Sequence, residues 1–252
     1  MNNIIKQKRI AKVLSDKFNK KIHLTKILGG KDKDAYLATF DSNEKIIILT
    51  DKKNSISRNY RSLQSNYLQK DLYKQGEYVA DVIDIFEKDE IGIISCHQYL
   101  EGKQMPFLNN YTAKLCGISI AKFHCGNIHI KYYFSKFSYS YVFYGLVKIM
   151  CVFLRNITNI IGDRNWLKLK KGICHRDLNL NNFIFMKNSA YLIDFDRARY
   201  WPYVYEIERF FRNENSKEYI KEFIIGYESV RKLDKFEQQY LIDRFEELKK
   251  IF

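Results

Sequence analysis

From Cys174 to Asp196 the chain reads Cys-His-Arg-Asp-Leu-Asn-Leu-Asn-Asn-Phe-Ile-Phe-Met-Lys-Asn-Ser-Ala-Tyr-Leu-Ile-Asp-Phe-Asp. Two apolar runs bracket the polar Lys187-Asn188-Ser189, the pattern of two short strands joined by a hairpin turn. A polar loop carrying His175, Arg176 and Asp177 enters the hairpin, Asn182 follows Asp177 by five positions, and Asp194 stands at the exit. Few folds present an Asp, an Asn and a second Asp at fixed offsets around one hairpin, so this stretch constrains the chain more than any other.

Those residue types suit transfer of a phosphoryl group. The reaction asks for one carboxylate to accept or orient a hydroxyl proton, and for hard oxygen ligands to hold Mg²⁺ on the phosphates. Asp177 fits the first role; Asn182 and Asp194 fit the second. The block resembles the kinase-like superfamily, and within it the small-molecule branch of aminoglycoside phosphotransferases, choline kinases, spore-coat kinase-like proteins and lipopolysaccharide-core (Kdo) kinases. Asp194-Phe195-Asp196 replaces the Asp-Phe-Gly usual in protein kinases, and Tyr191 to Arg197 is similar to the Kdo kinase and spore-coat relatives. The resemblance implies an α+β, two-lobed protein-kinase-like fold. A β-rich N-lobe over residues 1–100 would cover ATP, and a mainly helical C-lobe over 101–252 would carry the chemistry. It implies catalytic roles for Asp177 and Asn182, and metal ligation by Asn182, Asp194 and, as an alternative to bracing the loop, Asp196. Arg176 and His175 read as loop-stabilising residues, and Glu206 as the nearest match to an acidic residue that braces the catalytic loop in many relatives.

The N-terminal half is read with the same expectation. Residues 4–20 show helical spacing, and strands are expected over His23–Leu28, Ala35–Phe40 and Lys45–Thr50. Gly29-Gly30-Lys31-Asp32-Lys33 between the first two is a turn whose small residues would let backbone amides approach phosphates. The family places a Lys on the third strand to hold the α- and β-phosphates, but Ile46-Ile47-Ile48-Leu49-Thr50-Asp51 offers no cation there. Lys52 is the first candidate and Lys45 the second. A helix over Ser57–Gln75 would normally supply a Glu to pair with that Lys, and Gln64 stands about where it belongs. Val79–Phe86 and Ile91–Gln98 read as two more strands, followed by a hinge in which the backbone of Gln98, Tyr99 and Leu100 would receive the adenine.

Tyr111–His124 is amphipathic at helical spacing. About fifty residues then precede His175, rich in Tyr and Phe, with helical patches at Tyr139–Leu154 and Trp166–Lys171; the resemblance makes 125–172 an insert that builds the acceptor site. His124, Cys125 and His129 lie close in sequence but read as a helix end, not as a metal site. The cysteines, five in number, form no Cys-x-x-Cys and read as reduced thiols of a cytoplasmic protein. The N-terminus has no apolar run of signal-peptide type, and Tyr139–Ile161 is interrupted by Lys148, Arg155, Asn156 and Asn159, a poor membrane span. The formal net charge of +14 favours anionic partners and disfavours a cationic aminoglycoside. No nucleic-acid module is recognisable. The expected activity is ATP- and Mg²⁺-dependent phosphorylation of a hydroxyl on a small molecule: a sugar, an anionic lipopolysaccharide-core sugar or an amino-alcohol. A protein Ser/Thr kinase, a non-catalytic kinase-like binding or coat protein, and a peripheral membrane-surface protein stay open as alternatives. The sequence specifies no oligomeric state.

Overall fold

The computed structural model describes residues 3–27, 32–52, 55–76, 78–126, 147, 150, 151, 154, 167–214 and 216–252. Gly29 and Gly30, and most of the expected insert, lie outside the described residues. The chain divides into two compact units, Met1–Tyr67 with Ala80–Tyr99, and Leu68–Val79 with Leu100–Phe252. The architecture is α+β, with the sheet in the first unit and most of the helix in the second.

The first unit holds a five-stranded antiparallel sheet in the order β1-β2-β3-β5-β4. Its strands are β1 (Ile22–Ile27), β2 (Lys33–Phe40), β3 (Lys45–Asp51), β4 (Val82–Lys88) and β5 (Gly92–Gln98). Period-two alternation turns Leu24, Tyr36, Ala38, Ile46, Ile48 and Cys96 to one face, where they pack with Ile10 and Leu14 of α1 (Asn3–Phe18) in a single buried cluster. Lys6 of α1 is itself buried. Its Nζ donates to Asp34 Oδ2 at 3.0 Å and to the Asp51 carbonyl at 2.8 Å, while Lys26 meets the other Asp34 oxygen at 3.1 Å. Burial alone would raise the Asp34 pKa, but its two lysine partners hold it below the usual carboxylate range. The strand expected from Val79 begins instead at Val82. Val79 belongs to the second unit, where it forms an isolated bridge with Leu192, and the Leu192 N–H donates to the Tyr78 carbonyl at 2.8 Å. Helix α2 (Ile56–Lys74) buries Asn59, Ser62, Asn66 and Gln69 along one stripe. Gln64, expected to replace the missing Glu, is off that stripe.

The second unit is built on α3 (Asn110–Cys125), α4 (Tyr203–Glu214), α5 (Ile220–Glu228) and α6 (Lys235–Ile242). Asn109 and Thr112 start α3 with a reciprocal capping box, and Asp234 with Glu237 does the same for α6. Helices α3 and α5 cross with their backbones nearly touching. A Cβ on Gly117 would lie 2.1 Å from the Phe223 carbonyl, and one on Gly226 would lie 2.2 Å from the Lys114 carbonyl. The crossing buries Cys116, Ile120, Phe223, Ile224 and Tyr227 in a large apolar core with Phe123, Phe195, Phe210 and Phe211. Two small antiparallel ribbons sit on this core. Strand β6 (Lys171–Cys174) pairs with β9 (Arg199–Pro202), and β7 (Phe183–Met186) pairs with β8 (Ser189–Leu192). The helical patch expected through Lys171 is therefore cut short, since Lys171 already pairs with Pro202.

Candidate active site

The β6–β9 ribbon encloses the stretch from which the sequence argument began. Asp177 lies on the loop leaving β6, Asn182 closes a 3₁₀ turn (Leu180–Asn182) that opens β7, and Asp194 follows β8. Lys187 and Asn188 form the expected hairpin turn, with Lys187 at a positive φ of 45°. The two ends of the hairpin are tied together by named bonds. Asn182 Nδ2 donates to the Asp177 carbonyl at 2.7 Å, and the Asn182 carbonyl accepts from the Ile193 N–H at 3.1 Å. His175 Nε2 donates to the Ile193 carbonyl at 2.8 Å. The residue before Asp194 is thus gripped on both its polar groups, and the Asp177 and Asp194 loops are held in fixed register.

Asn182 is buried, and its Oδ1 accepts no hydrogen bond among the described residues. An amide oxygen held in place by its own Nδ2 bond is a donor ready for a hard cation. Asp194 is exposed and adopts a left-handed conformation, φ 65° and ψ 69°. Asp tolerates that region better than most residues, yet the conformation is uncommon outside glycine and here sets the carboxylate's direction. Asp196 lies two residues on, half-buried in the next 3₁₀ turn (Phe195–Arg197). From that turn Arg197 places Nη1 3.5 Å from Asp177 Oδ1, a contact the sequence reading did not anticipate.

Beneath the catalytic loop runs a chain of buried polar groups. Glu206 of α4 accepts from the His175 N–H at 3.0 Å and also from the Arg176 N–H. His124 Nε2 donates to Glu206 Oε2 at 2.9 Å, and His124 Nδ1 accepts from the Tyr227 hydroxyl at 2.8 Å. Arg231 Nη1 donates to that hydroxyl at 3.1 Å, and Arg231 Nη2 donates to Glu237 Oε1 at 2.8 Å. Burial pushes the His124 pKa down, so the ring is neutral with its proton on Nε2. Burial would push Glu206 up, but the donors around it, His124 first, hold it down as the carboxylate. His124, Cys174 and Glu206 place donor atoms within 4.8 Å of one another, but hydrogen bonding accounts for the arrangement without an ion. The family resemblance points to Glu206 as a brace. The partners Tyr227, Arg231 and Glu237 carry no local signal, because only the α3–α5 crossing brings them to His124. Cys125 is exposed and His129 lies outside the described residues.

In the sheet unit, Lys52 is exposed at the end of β3, where its N–H donates to the Asp32 carbonyl at 3.0 Å. Lys45 stands at the other end of that strand, its Nζ 5.6 Å from the centre of the Tyr99 ring. The strand's length therefore separates the two candidates: Lys52 beside the residues that return from the Gly29–Gly30 segment, and Lys45 beside the expected hinge. Gln98 has its N–H committed to the Asp81 carbonyl at 2.9 Å, and the Leu100 carbonyl accepts from Gly102 at 2.8 Å. The Tyr99 N–H and carbonyl have no hydrogen-bond partner among the described residues.

A family model described as "Phosphotransferase enzyme family" matches residues 161–238, which contain Asp177, Asn182, Asp194 and Glu206. No curated protein matches the chain. Solved structures do. An amicoumacin kinase in complex with AMP-PNP, Ca²⁺ and its antibiotic superposes with a TM-score of 0.65 at 16% identity, covering 99% of this chain and 86% of that one. A spectinomycin phosphotransferase in complex with ADP and spectinomycin gives 0.62 at 17% identity, covering 93% and 84%. An aminoglycoside phosphotransferase from Alicyclobacillus acidocaldarius gives 0.61 at 14% identity, covering 89% and 79%.

Proposed function

With the kinase-like fold of the small-molecule phosphotransferases as premise, we propose that the enzyme moves the γ-phosphoryl group of MgATP to a hydroxyl of a small molecule. The observation that carries this reading is the bonding of Asn182 to Asp177 and of Ile193 to both Asn182 and His175. These bonds tie together the loops that bear Asp177, Asn182 and Asp194, and prepaid positioning is most of what phosphoryl transfer needs from a protein.

Asp177 receives or orients the acceptor hydroxyl proton. Asn182 Oδ1 and the Asp194 carboxylate would hold Mg²⁺, with Asp196 as a further candidate oxygen donor. Bound there, the ion would offset charge on the phosphates. The Arg197 contact orients the Asp177 carboxylate until the acceptor enters. Backbone groups of Tyr99 and Leu100 receive the adenine, the Gly29–Gly30 segment covers the phosphates, and Lys52 supplies the cation absent from the interior of β3. Gln98 contributes little, because its N–H is already used. The acceptor is a hydroxylated metabolite of neutral or anionic character, in keeping with the charge of +14. We place the protein in the cytoplasm on its free cysteines; no helix among the described residues is long and apolar enough to cross a membrane.

One observation favours a second reading, nucleotide binding without turnover: β3 carries cations only at or beyond its ends. Radiolabelled ATP offered with panels of sugars, amino-alcohols, aminoglycosides and generic proteins separates the two. Label appearing on a small molecule supports the proposal. Binding of ATP with no labelled product in any panel supports the second reading.

A further inference from the structure

Beside Arg176, the second unit has a cavity of about 200 Å³ lined by Arg176, Trp201, Tyr205, Glu206, Glu208, Arg209 and Arg212. The acidic groups at this cavity are already spent. Glu206 accepts from His124 and from two backbone N–H groups, while Glu208 is taken by Arg212, by the Tyr240 hydroxyl and by Arg244 Nε at 3.3 Å. Two of the guanidinium groups are not matched in the same way. The Arg176 side chain lies over the Trp201 ring at 3.8 Å, and its buried Nε and Nη1 have no hydrogen-bond partner among the described residues. The guanidinium of half-buried Arg209 has no hydrogen-bond or ion-pair partner among them either. Burial, with Arg199 and Arg209 close by, pushes the Arg176 pKa down to about 10. Like charges gathered in a half-buried pocket are costly unless an anion offsets them.

We propose that this cavity is a binding site for a phosphate group, held between Arg176 and Arg209 and walled by Trp201 and Tyr205. The planar guanidinium suits a tetrahedral oxyanion, and the volume leaves room for part of whatever molecule bears it. Arg176 precedes Asp177 directly, so an occupant would also bear on the loop that positions Asp177. The site is separate from the proposed metal ligands and does not depend on the acceptor's identity.

Calorimetric titration of the full chain with inorganic phosphate, at ionic strength held constant with chloride, tests this without requiring turnover. The expected result is saturable binding that Arg209→Met weakens at least about tenfold, Arg209→Lys weakens less, and Lys217→Met, an equal loss of charge on the surface, changes by less than about twofold. A thermal melt of each variant confirms that it is folded. A parallel titration with glucose 6-phosphate distinguishes the sources: tighter binding than phosphate, lost in Arg209→Met, points to a group carried on an organic molecule, whereas equal binding points to the free ion. Absence of saturable binding up to about 10 mM phosphate, or equal weakening by Arg209→Met and Lys217→Met, overturns the proposal.

Discussion

Both units of this protein bury charge, and they do so to different ends. In the sheet unit, Lys6, Asp34 and Lys26 form a compact cluster that fastens α1 to β2 and to the end of β3. In the helical unit, Glu206, His124, Tyr227, Arg231 and Glu237 form an extended chain from the capping box of α6 to the backbone of the catalytic loop. The first arrangement holds elements of secondary structure together. The second holds the catalytic loop, and it does so through backbone N–H groups. A buried ion pair is weak evidence for stability by itself. What it is bonded to shows whether it serves the fold or the site.

Substitutions in the two networks should differ in what they cost. Glu206→Ala should have the largest effect, because it strands two backbone N–H groups and His124 in a fully buried position. A loss of about 3–5 kcal/mol is expected, with turnover falling even where the protein remains folded. Urea denaturation of Glu206→Ala and Glu206→Gln gives the comparison, and an Ala variant within about 0.5 kcal/mol of wild type would remove the bracing role. Gly117→Ala comes next, at about 2–3 kcal/mol, since its methyl group must displace the Phe223 carbonyl or part α3 from α5. Lys6→Met should cost less, about 1–3 kcal/mol, because Lys26 still partners Asp34. It should leave turnover per folded molecule unchanged, whereas Glu206→Gln should not.

Acid separates the units further. The His124 pKa is lowered in the fold, so the unfolded chain takes up a proton that the folded chain refuses, and stability falls as pH drops below about 6.5. Asp34 is also lowered, but it is an acid. Its contribution is complete above about pH 3.9 and is lost only as pH falls through its folded value. Hydrogen exchange corrected for its intrinsic pH dependence should show α3 losing protection between pH 7 and 5 while β2 holds. Loss in β2 first would contradict the assignment of charge states. The smallest effect concerns the cation of β3. Lys52→Met should raise the KM for ATP several-fold and leave the acceptor KM nearly unchanged; an effect of Lys45→Met in its place would move the phosphate contact to the Tyr99 end of the strand.

The sequence made the hairpin and its flanking residues legible because their spacing is local: Asp177, Asn182 and Asp194 fall within a single strand–turn–strand unit. The sheet was legible through alternation and the helices through their period, with boundary errors where a residue changed partners. Val79 reads as the start of a sheet strand by composition, but it lies in the helical unit and bridges to Leu192 there. The buried networks were not legible. Lys6 reads as one of many lysines on an N-terminal helix, and only the packing of α1 on the sheet takes it out of water. Tyr227, Arg231 and Glu237 carry no local signal, and they reach His124 only because Gly117 and Gly226 let α3 and α5 approach. Arg197 likewise gained its contact to Asp177 from the turn that Asp194's left-handed backbone begins.

The central claim is that Asp177 acts on the acceptor hydroxyl while other groups hold the nucleotide. Asp177→Ala, assayed for phosphoryl transfer and for MgATP affinity on the same preparation, tests it most directly. Turnover should fall about 10²–10⁴-fold while the nucleotide dissociation constant stays within about threefold of wild type. Near wild-type turnover, or loss of nucleotide binding in step with turnover, would contradict the claim.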